Sequence, residues 1–172
     1  MVIWLIGLSS SGKTTLGRYI CDLWKKNVPN TVLVDGDEIR SVFKHDIGSA
    51  PYTIEGRRKN ADRICNLCAW LDKQDINVVC CILSLFEESR QWNRNNYSKY
   101  YEVYISVSME NLINRDNKNL YGPALRGETK DVVGVDIPFN APENPDYVFD
   151  NNTNGADLRM VAVDILRKST AI

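Results

Sequence analysis

Residues 7–14 read Gly-Leu-Ser-Ser-Ser-Gly-Lys-Thr, the eight-residue pattern G-x-x-x-x-G-K-T. No other feature restricts the architecture as tightly, because this pattern has meaning only between a strand and a helix. Both flanks comply. The apolar run Val2-Ile3-Trp4-Leu5-Ile6 precedes it, and Leu16, Ile20, Leu23 and Trp24 follow it at helical spacing. Gly7, Ser9, Ser10, Ser11 and Gly12 are small enough for the backbone to curl with its N–H groups converging on phosphate oxygens. The following helix would add its positive end. Lys13 is placed to reach the β- and γ-phosphates, Thr14 to ligate Mg²⁺, and Thr15 to complete the cradle. A Gly/Ser-rich turn that happens to contain Lys and Thr is the bland alternative, and the agreement of both flanks argues against it. The pattern predicts a site for ATP with Mg²⁺.

The chain has 172 residues, enough for one domain with one substantial core, and 44% of them are hydrophobic. A net charge of -1 gives no general attraction to nucleic acid. No apolar run reaches the length of a membrane span. The N-terminus enters a strand with no basic segment or cleavage site, and the cysteines, five in number, show no framework spacing. These features predict a cytoplasmic protein without nucleic-acid or membrane partners. Cys65 and Cys68 form a C-x-x-C, but Ile64, Leu67 and Leu71 around them read as one apolar helix face, which favours packing over metal or redox chemistry.

β-rich runs at 2–6, 31–34, 77–83, 101–107 and 147–149 alternate with amphipathic stretches at 13–26, 38–44, 56–73, 87–98, 109–116 and 156–168. This alternation predicts an α/β fold of three layers, a parallel sheet of about five strands with helices on both faces. Residues 117–145 show no clear period and hold three glycines and four prolines with Lys118, Arg126 and Lys130. A loop of that length is expected to serve as a lid that excludes water and brings cations to the phosphates; a variable surface loop is the plain alternative.

The second strand runs into Asp35-Gly36-Asp37, which places two carboxylates beyond a strand's carboxyl end, where ligands of open α/β sheets sit. Asp35 and Asp37 suit metal binding and orientation of an attacking hydroxyl, and Asp37 could also cap the next helix. Arg40, Arg57 and Arg63 suggest a second anionic substrate. The single His45 has nothing nearby to complete an acid–base pair and reads as a surface residue.

These residues, in this order, resemble the adenylyl-sulfate kinase family. Ile3-Trp4-Leu5 with the loop resembles I-W-L-T-G-L-S-G-S-G-K-[ST]-T, and Asp35 through Arg40 resembles D-G-D-x-[VI]-R. Glu55, Arg57, Asn60 and Arg63 fit E-x-R-x-x-N-x-x-R, and residues 83–90 resemble I-S-P-[FY]-x-x-x-R. Arg115, Asp116, Lys118, Leu120 and Tyr121 resemble R-D-P-K-G-L-Y, and residues 134–142 resemble a stretch around G-I-D-x-P. The resemblance implies a P-loop kinase fold and phosphorylation of a nucleotide 3′-hydroxyl. It implies catalytic roles for Lys13, Asp35, Asp37 and Lys118, with Thr14 and Asp35 on the metal. It implies that Arg115 lies near the ATP base. It implies that Asp37, Arg40, Tyr52, Arg57, Asn60, Leu83, Ser84, Lys118 and Val132 surround the acceptor. Members of the family often form dimers.

The departures concern the acceptor side. Val132 stands where the family has a lid phenylalanine that stacks on the acceptor's adenine opposite the aromatic at Tyr52. A stacked ring is worth roughly 1–3 kcal/mol. Leu85 replaces a proline, Asn119 a glycine, and Phe139-Asn140 a Tyr-Glu. In these respects the chain looks like the branch that phosphorylates cytidine diphosphoramidate for bacterial capsules; adenylyl sulfate is the alternative acceptor. A guanine-reading N-K-x-D at residues 117–120 fails because Leu120 stands in place of the aspartate, and a non-catalytic ATP-binding module would not need the full set Lys13, Thr14, Asp35 and Asp37.

Overall fold

The computed structural model describes residues 1–44, 47, 48, 50–116, 118–153 and 155–170. His45 lies outside the described residues, as does Asn117, so the readings made for them have no structural counterpart here. Five strands form one parallel sheet in the order β2-β3-β1-β4-β5: β1 Val2–Ile6, β2 Thr31–Asp35, β3 Asn77–Ile82, β4 Tyr100–Ser106 and β5 Tyr147–Asp150. The helices are α1 Lys13–Lys25, α2 Gly36–Val42, α3 Ile54–Asp72, α4 Glu87–Asn96, α5 Met109–Arg115, α6 Tyr121–Leu125 and α7 Leu158–Thr170. The expected layered α/β fold is the observed one.

The pleat of β1 divides the core. Ile3 and Leu5 pack with Leu16, Ile20 and Ile165 under α1 and α7, while Val2, Trp4 and Ile6 pack with Ile64, Cys65 and Cys68 under α3. A strand apolar on both faces is what a sheet covered on both sides requires. Helix α1 lies so close to the sheet that a Cβ on Gly17 would come within 2.2 Å of Cys81 Sγ. The Cys65-x-x-Cys68 pair is core, as the apolar face predicts; all five cysteines are free and buried, and burial pushes the Cys65 thiol up to about 12.

Most element ends shift by one or two residues from the sequence reading, and two differences bear on the site. Helix α2 starts at Gly36, two residues earlier than its apolar pattern suggests, because Asp35 caps it: Asp35 Oδ1 accepts from Asp37 N at 2.9 Å. The cap is therefore Asp35 and not Asp37. The segment read as patternless contains α6, and its residues Tyr121, Ala124, Val132, Val133 and Ile137 form a third buried cluster with Leu8 and Leu112. Gly122 and Pro123 hid that helix, although proline is tolerated in a first turn. Asp116 supplies the cap, its carboxylate accepting from the N–H groups of Leu120, Tyr121 and Gly122. Among the described residues no helix is long and apolar enough to cross a membrane.

Candidate active site

The chain leaves β1 toward one side of the sheet and β3 toward the other, so the carboxyl ends of these neighbours form a switch point, the expected place for a ligand. A cleft of about 220 Å³ opens there, lined by the phosphate loop, Asp35, Asp37, Leu83 and Lys118. The loop enters α1 through Gly12 at φ 98, and no side chain caps that helix. Helices α2, α3 and α5 by contrast are capped by Asp35, Thr53 and Ser108. The first N–H groups of α1 thus remain available to a ligand.

Lys13 Nζ donates to Leu8 O at 2.7 Å, and burial drives its ammonium down to about 8. A polyanion at the loop would stabilise the charged form. The Ser10 and Ser11 hydroxyls are buried with no hydrogen-bond partner. Thr14 Oγ1 donates to Asp35 Oδ2 at 2.7 Å, which brings a hydroxyl and a carboxylate together at the loop's exit. That all-oxygen pair suits Mg²⁺, which takes few protein ligands and relies on phosphate oxygens and water for the rest. The residues present therefore fit a triphosphate with its magnesium.

Asp37 lies on the other side of the cleft between two cations. Lys118 Nζ donates to its Oδ2 and Arg40 to its Oδ1. Burial alone would raise its pKa, but the contacts with Lys118 and Arg40 outweigh that and hold the carboxyl below its usual range. Arg40 then leads toward the residues expected around the acceptor. It lines a narrow cleft with Arg57, Asn60, Leu83, Ser84 and Phe86, and it shares with Asn60 and Arg63 a larger cavity of about 340 Å³.

Four of the residues expected there have engagements of their own. Arg57 donates to Tyr52 O at 2.6 Å and to Asp131 O at 2.7 Å, so its guanidinium joins the entry of α3 to the segment that follows α6. Tyr52 offers its ring to Arg40 and Arg57, 5.5 and 5.8 Å from its centroid. The Ser84 hydroxyl is buried and accepts from Trp4 Nε1 at 3.0 Å, and its carbonyl accepts from Arg90 at 3.1 Å; this is a structural serine. Val132 is only 2% exposed and packs in the third buried cluster, next to the Asp131 carbonyl that Arg57 holds.

The structure also shows residues that the motifs did not single out for the ATP side. Tyr121 OH donates to Ser9 O at 3.0 Å, and Asn151 Nδ2 donates to Ser11 O at 2.9 Å. Arg115, expected at the ATP base, donates to the Asn151 carbonyl at 2.8 Å and so stands directly behind the loop. Between the two held carbonyls, Ser10 adopts φ 61. In the family pattern quoted above that position is glycine, and a non-glycine residue there costs roughly 1–2 kcal/mol. Asn119 likewise takes a left-handed φ of 49 where the pattern has glycine, a conformation asparagine tolerates.

Comparison with known proteins agrees with this geometry. The family model for adenylylsulphate kinase matches residues 1–150. The chain is 39% identical over 151 residues to the cytidine diphosphoramidate kinase of Campylobacter jejuni, covering 88% of this chain and 86% of that one. It is 33% identical over 158 residues to a probable adenylyl-sulfate kinase of Aeropyrum pernix, covering 90% and 85%. The fold is that of the APS kinase CysC of Mycobacterium tuberculosis, solved in complex with AMPPNP and APS: the TM-score is 0.84 over 97% of this chain and 95% of that one, at 23% identity. With its phosphate loop, paired aspartates and Lys118 in one cleft, the chain belongs to the adenylyl-sulfate kinase family of P-loop phosphotransferases.

Proposed function

We propose that this chain transfers the γ-phosphate of ATP to the 3′-hydroxyl of cytidine diphosphoramidate. The observation that carries the phosphoryl-transfer reading is the contact of Lys118 and Arg40 with the two oxygens of Asp37, at the junction of the phosphate-loop cleft and the arginine-lined acceptor cleft. The acceptor oxygen attacks the γ-phosphorus as the bond to ADP breaks, and the hydroxyl proton passes to a carboxylate. Asp37 suits that task. Held ionised by its two cations, it can accept and orient the hydroxyl, and a weak base suffices when the proton leaves late in a loose transition state. Lys13 and Lys118 offset charge on the transferring group, and the loop N–H groups hold the β-phosphate. Thr14 and Asp35 would hold Mg²⁺, which neutralises phosphate charge when bound.

The cytidine acceptor is favoured by the similarity to the Campylobacter enzyme and by Val132. An aliphatic side chain buried in the lid offers no stacking face, and a pyrimidine needs less stacking surface than adenine. Adenylyl sulfate is the second reading, favoured by Arg40, Asn60 and Ser84 lining the acceptor cleft at the positions of the family pattern. The test is ADP release with Mg-ATP and each acceptor at equal low concentration. A strong preference for cytidine diphosphoramidate is expected; preference for adenylyl sulfate would return the chain to sulfate activation.

A further inference from the structure

A phosphate loop works only if its N–H groups point inward, which turns its carbonyl groups outward, where each needs a partner. In this chain two of the loop carbonyls are held by side chains from other parts of the fold. Ser9 O accepts from Tyr121 OH at 3.0 Å, and Ser11 O accepts from Asn151 Nδ2 at 2.9 Å. Between them lies Ser10, whose φ of 61 is a conformation that L side chains disfavour.

Both holding groups are themselves fixed. Tyr121 is fully buried on α6, and the Asp116 carboxylate accepts from its N–H. Asn151 follows β5 directly; its N–H donates to Ser106 O at 2.9 Å, and its carbonyl accepts from Arg115 at 2.8 Å. The two side chains therefore approach the loop from different segments and hold the carbonyls of the residues before and after its strained residue, Ser9 and Ser11.

We infer that Tyr121 and Asn151 are positioning residues that hold Ser10 in its left-handed conformation and so preset the loop for the nucleotide's phosphates. Neither is a catalytic residue, since each acts through the loop backbone. The inference rests on the ATP-binding part of the proposed function and is independent of which nucleotide accepts the phosphate. Releasing either carbonyl lets Ser10 relax toward negative φ, which rotates the adjoining N–H groups away from the phosphates. A glycine at position 10 would keep the left-handed conformation without being held.

The test measures Mg-ADP affinity by calorimetry on the full chain. Tyr121→Phe keeps the buried ring and removes only the hydroxyl; Asn151→Ala removes the second contact. Each is expected to weaken Mg-ADP binding about three- to tenfold, the range for one lost hydrogen bond. KM for ATP should rise while KM for the acceptor stays unchanged. Adding Ser10→Gly to either variant should recover most of the lost affinity, which repair of general packing would not do. Wild-type affinity in both single variants would overturn the inference, as would a loss that Ser10→Gly leaves untouched. Failure of the unmodified chain to bind Mg-ADP would instead remove the ATP site itself, and the inference with it.

Discussion

Ser10→Gly on its own should make the protein more stable. The residue sits at φ 61, and its hydroxyl is buried without a partner. Relief of the left-handed conformation returns roughly 1–2 kcal/mol. Loss of an unsatisfied hydroxyl adds about 1 kcal/mol, the low end of the range because the loop borders an open cleft. Glycine takes back roughly 0.5–1 kcal/mol through the greater freedom of the unfolded chain. The net stabilisation is about 1–2 kcal/mol, or a rise in Tm of about 2–6 °C for a chain of this size. Denaturant unfolding in the absence of nucleotide reads the first quantity, and scanning calorimetry reads the second. Ser10→Ala separates the contributions, because it removes the hydroxyl and keeps the strained φ; it should gain about 1 kcal/mol at most. A glycine variant no more stable than wild type would refute the strain assigned to Ser10. An alanine variant that matches the glycine variant would assign the whole gain to the hydroxyl.

Two further outcomes follow from the geometry. Asp35→Asn should cut turnover by orders of magnitude while Mg-ADP binding survives within about tenfold, because the carboxylate faces Thr14 and the N-cap of α2 and leaves the loop N–H groups intact; unchanged turnover would remove Asp35 from the metal site. Asp72 is 6% exposed, and its carboxylate accepts from Ser98 N at 2.6 Å, from Ser98 Oγ at 2.8 Å and from the Met1 amine. Burial raises its pKa, but these donors outweigh it and the net shift is downward from 3.8. The folded pKa is the lower one, so the stabilisation is complete above the unfolded value and disappears as pH falls through the folded value. Asp72→Asn should therefore cost about 1–3 kcal/mol at pH 7 and progressively less below about pH 4, measured by urea unfolding at each pH; a penalty that does not change down to pH 2 would contradict that linkage.

Much of the site is legible along the chain because its parts are short and local. G-x-x-x-x-G-K-T between an apolar pentad and a helical stretch can hardly fold otherwise, and Asp35-Gly36-Asp37 at a strand's end carries its own placement. The roles within the acceptor side are less legible. Arg57 reads as a ligand of an anionic acceptor, yet its guanidinium spans two main-chain carbonyls, those of Tyr52 and Asp131. Asp37 reads as a catalytic carboxylate that could also cap the next helix, yet Asp35 takes the cap and Asp37 faces Lys118 and Arg40. Sequence pattern names the side chain that can donate or accept; which partner it meets depends on what else folds beside it.

The same division holds for the molecule as a whole. The order of strands and helices, the two-faced burial of β1 and the chemistry of the phosphate loop are determined by the sequence itself, since spacing and residue type act over a few neighbours. The buried cluster around α6 and the state of Ser10 were decided only by tertiary structure. Tyr121 meets Ser9 across 112 residues and Asn151 meets Ser11 across 140. A hydrogen bond between segments so far apart leaves no period to read, because it exists only once the sheet has brought the ends of β1 and β5 to the two sides of β4 and α6 has packed beside the loop.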